Sequence, residues 1–299
     1  MKKLFVMTLA VAAMVGCSKV DTLESGQQAE INFVNHIDKT TRTLLDNSNL
    51  ANFCVWGTEA TNPIFAGDVV EKSGSDWTYT GARYWHTGNP YTFAAIAPSA
   101  HTLTGLTLTA GLPTSATFTL TDAEATQVDL LYCRATDIPA IADGYNTPVA
   151  FTFDHMLSQV NFTVENEYNQ SGDYTVVVEN LQITGSATAD VALAAVPTWS
   201  SHSSADLVLD FAVATVDENS SEISSPLLVI PGIANTITGT VKTLYGTGVV
   251  ETKAINFTTP VLEPDHKYNF VITVTPGNQI KFTAEVDDWT NGGDTDVVF

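Results

Sequence analysis

The stretch that decides the fold class runs from Tyr268 to Val286 and reads YNFVITVTPGNQIKFTAEV. Apolar residues occupy every second position on both sides of its central turn. They are Tyr268, Phe270, Ile272 and Val274 before the turn, and Ile280, Phe282, Ala284 and Val286 after it. A period of two is that of a β-strand with one buried face, and a Pro-Gly-Asn turn between two such runs predicts an antiparallel hairpin.

The same alternation recurs along the chain from residue 29 onward. It is clear at Ile31 and Phe33, at Val160, Phe162 and Val164, and at Leu207, Leu209, Phe211 and Val213. Thr, Val and Phe stand where an amphipathic helix would need Leu, Ala and Glu at three- and four-residue spacing. The sequence therefore predicts an all-β protein with mostly antiparallel strands. The polar segment 167–173, between Val164 and Tyr174, predicts a second hairpin with a longer loop.

The segment from Arg134 to Pro148 has little alternation and carries Pro139, Gly144 and Pro148. It predicts a boundary between an N-terminal domain at 29–148 and a C-terminal domain at 149–299, each a β-sandwich of ordinary size. Two alternatives stay open. The hairpin that follows could belong to the first domain, which would move the boundary beyond Thr184, or the chain could form one large sandwich.

The N-terminus has the pattern of an export signal. Lys2 and Lys3 precede an apolar run, Leu4 to Val15, which ends in Gly16-Cys17. This pattern predicts a signal peptide at 1–16 and acylation of Cys17 with palmitate, so that residues 17–28 tether the protein to a membrane. An ordinary signal peptide followed by a chance cysteine is the alternative.

The charge balance excludes one class of partner. The chain has 12 Lys and Arg against 33 Asp and Glu, a formal net charge of −21. An acidic surface repels phosphate, so nucleic acid is not expected as a partner. Copies of the chain also repel one another, and self-association has to rest on backbone pairing and apolar burial.

The sequence contains no nucleophile elbow, no phosphate-binding loop and no His-Glu-x-x-His motif, so we expect no enzyme activity and no cofactor. The acidic segment 287–296 could hold calcium, but its spacing does not match a calcium loop, and a turn rich in Gly and Asp explains it without a metal. Cys54 and Cys133 lie in apolar runs, which favours buried thiols over a disulfide.

The aromatic residues between positions 77 and 93 are unusually dense. Trp77, Tyr84 and Trp85 could form a surface on which a glycan stacks, whereas packing in the core is the simpler interpretation. Exposure of these rings would favour glycan binding, and burial would argue against it.

Several loosely spaced motifs together resemble the fimbrillin family, the lipoprotein precursors that build type V pili. They are Cys17, Phe53-x-Val55-Trp56, Trp77-x-Tyr79, Tyr84-Trp85, Tyr91-x-Phe93-Ala94, Phe153-x-His155-Met156-Leu157-Ser158-Gln159-Val160, Leu228-Val229-Ile230-Pro231-Gly232 and Ile280-x-Phe282 through Trp289. The resemblance implies two tandem transthyretin-like β-sandwich domains. It also implies a lipid-anchored precursor at the outer membrane and, after maturation, a subunit of a cell-surface fimbrium that supports adhesion.

The resemblance further implies a route of assembly. An Arg-specific protease would cut between Arg42 and Thr43 and remove the strand at 29–36, and the open groove would accept a strand from another copy or a related pilus subunit. The donor strand would comprise Thr295, Asp296, Val297, Val298 and Phe299. These residues could equally form the last strand of their own domain in the monomer. The sequence does not separate a stalk subunit from a tip or anchor subunit.

Overall fold

The computed structural model describes residues 29–37, 45, 49–139, 148–168, 173–204, 207–212, 214–218, 220–276, 279–288 and 295–298. Cys17, Arg42, Thr43 and Phe299 lie outside these residues. Among the described residues, no helix has the length and apolar character needed to cross a membrane.

The described residues form strands throughout, together with one short 3-10 helix, Glu124–Thr126. In chain order the strands are β1 (Phe33–Ile37), β2 (Asn52–Glu59), β3 (Asn62–Ser73), β4 (Asp76–Tyr79), β5 (Tyr91–Ala97), β6 (Leu103–Thr109), β7 (Leu112–Thr119), β8 (Leu131–Ile138), β9 (Val149–His155), β10 (Ser158–Asn166), β11 (Tyr174–Gly185), β12 (Thr188–Ala192), β13 (Thr198–Ser200), β14 (Leu207–Asp210), β15 (Ala214–Val216), β16 (Ser220–Ile223), β17 (Leu227–Val229), β18 (Ala234–Tyr245), β19 (Gly248–Val261), β20 (His266–Thr275), β21 (Gln279–Asp288) and β22 (Thr295–Val298). The predicted all-β fold is confirmed.

The N-terminal half is built on a seven-stranded sheet in the order β1-β9-β8-β5-β2-β3-β4. This sheet curls until its two edges approach one another, since the hydroxyl of Tyr79 at the end of β4 donates to the carbonyl of Ile31, just before β1, at 2.7 Å. One face of the sheet therefore closes around its own core. The pairing of β1 with β9 is parallel, whereas the other pairs in this sheet are antiparallel.

The C-terminal half packs two sheets face to face. One has the order β16-β10-β20-β21-β22, with β17 also paired to β10, and the other has the order β14-β11-β18-β19, with β15 also paired to β11. A fourth sheet, β13-β12-β7-β6, combines strands from the two halves of the chain. It covers the outer face of the seven-stranded sheet.

Two apolar cores result from this arrangement. The first lies inside the curled sheet and is rich in aromatic side chains, including Phe33, Phe53 and Phe93. The second begins on the opposite face of the same sheet and continues without a break into the C-terminal half, where it includes Phe162 and Phe270.

The predicted hairpin at 268–286 is confirmed, with Tyr268 opposite Val286 and Val274 opposite Ile280. The predicted hairpin around 167–173 is wrong. Strands β10 and β11 belong to different sheets, because Phe162 and Val176 are buried in one core from opposite layers. The Asn166 side chain, which donates to the carbonyls of Tyr174 and Val216, links the two layers there.

The predicted division after residue 148 stays a prediction, and the sheet pairing does not follow it. Strand β9 starts at Val149 and pairs with β1 and β8 of the N-terminal half. Strand β12 pairs with β7 across the same division. The transthyretin-like topology likewise stays a prediction.

Candidate assembly site

Strand β1 is held on both of its sides by different parts of the chain. On one side it runs parallel to β9, with Phe33 opposite Val149 and Ile37 opposite Phe153. On the other side the residues that lead into it bond to segment 83–85: the amide of Ile31 donates to the carbonyl of Arg83 at 2.8 Å, and the amide of Trp85 donates to the carbonyl of Ala29 at 2.9 Å. We call the space occupied by residues 29–37 the β1 slot.

The floor of the β1 slot is aromatic. Phe33 is 3% exposed, and its ring lies against five others. These are Phe53 at 6.1 Å, Phe65 at 5.4 Å, Tyr79 at 5.8 Å, Phe93 at 6.0 Å and, stacked, Phe151 at 5.4 Å between ring centroids. Edge-on and offset stacked aromatic pairs add to the free energy that the buried area itself provides. Phe33 is therefore the centre of the N-terminal core, although its strand is the first one described.

One wall of the slot is fixed by Arg83. Its guanidinium donates to Asp68 at 2.6 Å and to the carbonyls of Ile64, Thr80 and Gly81 at 3.0, 2.8 and 2.6 Å. The same group lies over the rings of Phe65 and Tyr79, at 4.9 and 5.7 Å from their centroids. Burial raises the pKa of Tyr79 to about 12, so its hydroxyl stays protonated and keeps donating to the Ile31 carbonyl.

The chain that follows the predicted cleavage site is anchored separately from β1. The amide of Leu45 donates to the buried carboxylate of Asp129 at 3.0 Å. That carboxylate also lies 3.0 Å from Nδ1 of His155, which is itself buried. Leu45 is thus attached through a hydrogen bond that β1 does not share.

The chain has three arginines, and the two described ones sit in ordered backbone. Arg134 lies within β8, opposite Ala94 of β5, and donates to the carbonyl of Leu193 at 3.1 Å. Arg83 makes the contacts described above. A protease needs an extended, accessible segment, so the peptide bonds that follow Arg83 and Arg134 are poor substrates in the folded chain. Arg42, the third arginine, lies outside the described residues.

The predicted donor segment overlaps the last strand. Strand β22 pairs antiparallel with β21, with Val298 opposite Thr283 and Thr295 opposite Val286. It therefore begins near the junction of the two halves, where β21 ends opposite His266, and runs toward the far end of the C-terminal half.

A scan of protein families matches the family described as fimbrillin-like over residues 40–289. The chain belongs to the fimbrillin-like family. No curated protein sequence matches it.

Solved structures with the same fold cover most of this fimbrillin-like chain. A fimbrial protein from Bacteroides vulgatus aligns with a TM-score of 0.63 and 19% identity, over 87% of this chain and 99% of that one. Structures described as candidate cell adhesion proteins from Bacteroides uniformis and Bacteroides ovatus align with TM-scores of 0.56 and 0.54. Their identities are 14% and 15%, over 88% and 89% of this chain and 99% of each of theirs. At these identities the likeness establishes the fold.

The predicted glycan surface is not formed in this fimbrillin-like chain. Trp77 and Trp85 are 7% and 5% exposed and belong to the N-terminal core, where Trp77 packs on Phe53 and Trp85 on Tyr91. Of the three predicted contact residues only Tyr84 is exposed, at 43%. Both indoles pack inside the curled sheet, so their faces are not available to a sugar.

The two cysteines of the folded region are buried as free thiols. Cys54 lies opposite Ile96 and Cys133 opposite Ala95 on the shared neighbour β5, so their side chains point to opposite faces of the sheet and enter different cores. Burial raises the pKa of both thiols, which keeps them protonated and unreactive.

The sequence pattern predicted a strand at 29–36, which the structure places at Phe33–Ile37, and it predicted the inward Phe33. It did not identify the residues that hold this strand. Arg83 and Tyr79 carried no signal of that role, since their partners are distant in sequence. Among the described residues, no group of three His, Cys, Asp or Glu side chains is placed to hold a metal ion.

Proposed function

We propose that this protein is a non-enzymatic structural subunit of a cell-surface fimbrium. It is made as a lipoprotein precursor, anchored in the outer membrane through acylated Cys17. It assembles when an Arg-specific protease cuts between Arg42 and Thr43 and a strand of another subunit replaces β1. The observation that carries the proposal is that β1, the first described strand, supplies the central ring of the N-terminal core.

Removal of β1 would leave two kinds of unsatisfied surface. The edge of β9 and the backbone of 83–85 would lose their hydrogen-bond partners, and the rings around Phe33 would border a void. Removing a buried phenylalanine side chain alone typically costs about 3–5 kcal/mol. An open edge beside an apolar groove favours addition of a strand from another chain.

Strand direction supports head-to-tail assembly. Strand β1 runs from the outer end of the N-terminal half, where Phe33 lies, toward the junction near His155. A neighbour at that outer end would insert the C-terminus of its last strand first. The inserted strand would then run in the same direction as β1. It could therefore adopt the same parallel pairing with β9.

Length determines how much of the C-terminus has to move. An extended residue advances about 3.3 Å, so β21 spans about 33 Å and the eleven residues after it span about 36 Å. Because β21 ends at the junction, those eleven residues only just reach the far end of their own subunit. In an end-to-end fibre, β21 would have to leave β20 for Thr295–Phe299 to enter the next β1 slot.

The test is limited digestion of the precursor carrying Cys17→Ser, which prevents lipid attachment, with an Arg-specific protease. We expect one cut, after Arg42, followed by conversion to very large oligomers seen by light scattering. Arg42→Lys is the matched control, because it keeps the charge but removes the cleavage site, and it should stay monomeric. A wild-type chain that is cut once and remains a stable monomer would contradict the proposal.

The donor and the anchor have separate tests. Deletion of 295–299 should leave cleavage intact and abolish oligomers, whereas normal oligomers from the deleted chain would rule out this donor. For the anchor, full-length protein should partition into detergent and incorporate labelled palmitate in cells. Cys17→Ser should do neither, and unchanged labelling of that variant would rule out Cys17 as the site.

A further inference from the structure

The fourth sheet, β13-β12-β7-β6, has one buried face and one face open to solvent. Ala116 of β7 and Val191 of β12 are opposite each other, and both are buried in the second core. The side chains on either side of them along each strand point away from that core. They form two rows across the four strands, namely Thr104, Thr117, Asp190 and Ser200, and Thr107, Ser115, Ala192 and Thr198, all exposed or half-buried. We call these eight residues the hydroxyl face.

The hydroxyl face is almost free of charge. Residues 98–121 and 191–205, which contain β6, β7 and β13, have no Asp, Glu, Lys or Arg, although the whole chain has a net charge of −21. Asp190 of β12 is the one charged residue of the face, and its carboxylate accepts a hydrogen bond from Oγ1 of Thr117 at 2.7 Å. Charged residues are depleted in the core of protein interfaces, so this composition indicates a contact surface.

The hydroxyl face lies on the flank of the molecule, away from the slot proposed for strand exchange. The fourth sheet packs on one face of the seven-stranded sheet, where Trp56 and Ile96 contribute to the second core. The β1 slot is on the other face of that sheet, around Phe33. Insertion of a donor strand into the β1 slot would therefore leave the hydroxyl face of each subunit uncovered.

The side chains of the hydroxyl face suit contact with an identical face. Threonine is stiff about χ1, so it loses little side-chain entropy when it is buried. The threonine methyl groups and Ala192 provide apolar area, and each hydroxyl can both donate and accept a hydrogen bond across the contact. A two-fold contact brings the same surface of two copies together. Because this surface carries so little charge, two copies can approach there despite the repulsion between their net charges.

The size of the hydroxyl face determines when it can act. Four strands about 4.8 Å apart, with about four residues of each, give an area of about 300 Å². A stable interface needs about 800 Å² from each partner, so the face is too small to hold two single subunits together. A fibre presents one such face per subunit, and many weak contacts made at the same time give firm attachment.

We propose that the hydroxyl faces of neighbouring fibres pack against each other, so that fibres of this chain bundle side by side. This inference rests on the proposed function, because only an assembled fibre repeats the contact often enough. The net charge of −21 opposes the approach of two fibres. Bundling should therefore increase with salt, which screens that repulsion.

The first test measures bundling of fibres grown from cleaved protein that carries Cys17→Ser. Low-speed centrifugation should pellet these fibres at about 0.5 M NaCl and leave them suspended at about 0.02 M. Adding Thr107→Glu with Thr198→Glu should lower the pelleted fraction at the higher salt concentration about tenfold or more, because the new carboxylates would lose water in the contact.

Thr252→Glu with Thr258→Glu is the matched control. It adds the same charge at two exposed threonines of β19, which belongs to another sheet, and it should pellet like the parent protein. Both double variants should be cut once and should grow fibres at the parent rate, which verifies that they are folded.

The second test detects the contact itself. Ala192 is exposed on a central strand of the face, so a short thiol cross-linker should join Ala192→Cys chains in pairs when the fibres are bundled. Ala254→Cys, at an exposed alanine of β19, should give no such pairs. Dispersal of the fibres at low salt before cross-linking should abolish the pairs, since the contact joins different fibres. If the parent protein forms no fibres after cleavage, the proposed function fails and this inference fails with it. Fibres that form but stay single at both salt concentrations, or Thr107→Glu with Thr198→Glu fibres that bundle like the β19 control, would overturn this inference alone.

Discussion

Phe33 is the side chain on which the N-terminal core of the precursor depends most. We expect Phe33→Ala to lower the free energy of unfolding by about 3–5 kcal/mol, because the ring is fully packed among five others. Val34→Ala is the control on the same strand, since Val34 is 45% exposed, and should change stability by less than about 0.5 kcal/mol. Chemical denaturation of both variants measures the difference. Equal effects would show that β1 is not packed as described.

Asp265 should make stability depend on pH. Burial raises its pKa to about 6, and its Oδ1 is buried without a hydrogen-bond partner among the described residues. The unfolded value is about 3.9, so the folded state binds more protons between these values and stability falls as pH rises from about 4 to about 6. Asp265→Asn, which also tolerates the positive φ of 61° there, should therefore stabilise the protein at pH 8 and not at pH 4. Denaturation midpoints at both pH values check this, and an equal effect at both would contradict it.

Some of these residue-level roles could be read from the sequence and others could not. Alternation placed Phe33 on the inward face of its strand, because the period of two depends only on neighbours in the chain. The same reasoning could not decide whether Trp77 and Trp85 lie in the core or at the surface. Their burial follows from the curvature of the sheet, which is set by strand pairings far apart in sequence.

At the scale of elements, the local hairpin was predictable and the distant pairings were not. Strands β20 and β21 are separated by only three residues, so their antiparallel pairing is local in the sequence. The parallel pairing of β1 with β9 links residues more than one hundred positions apart, and no local pattern encodes it. The error at 167–173 has the same origin, because alternation shows that two strands exist and not which sheet each one joins.

The β1 slot should open more readily when Tyr79 loses its hydroxyl. Tyr79→Phe leaves the Ile31 carbonyl without its 2.7 Å donor, which should cost about 1–3 kcal/mol. Tyr132→Phe removes a similar bond to the Leu193 carbonyl and is the matched control. Amide exchange at Ile31 and Trp85 should accelerate in Tyr79→Phe only. Equal acceleration in both variants would mean that the slot opens only through global unfolding.

At the scale of the whole molecule, the continuous second core argues that the two halves fold together. It contains Trp56 and Ile96 from the N-terminal half as well as Phe162 and Phe270 from the C-terminal half. The side-chain amide of Gln127 adds two hydrogen bonds to the backbone of Leu228, at 2.8 and 3.1 Å. Contacts of this kind couple the unfolding of the parts they join.

The predicted division after residue 148 can therefore be tested with a fragment. A chain of residues 29–148 would lack β9, the partner of β1, and β12, the partner of β7. We expect this fragment not to fold, and we expect residues 29–299 to unfold in one calorimetric transition, because neither half can bury its share of the second core alone. A fragment with a cooperative transition of its own would show instead that the first half is an independent domain, and the slot could then open and refill without disturbing the C-terminal sheets.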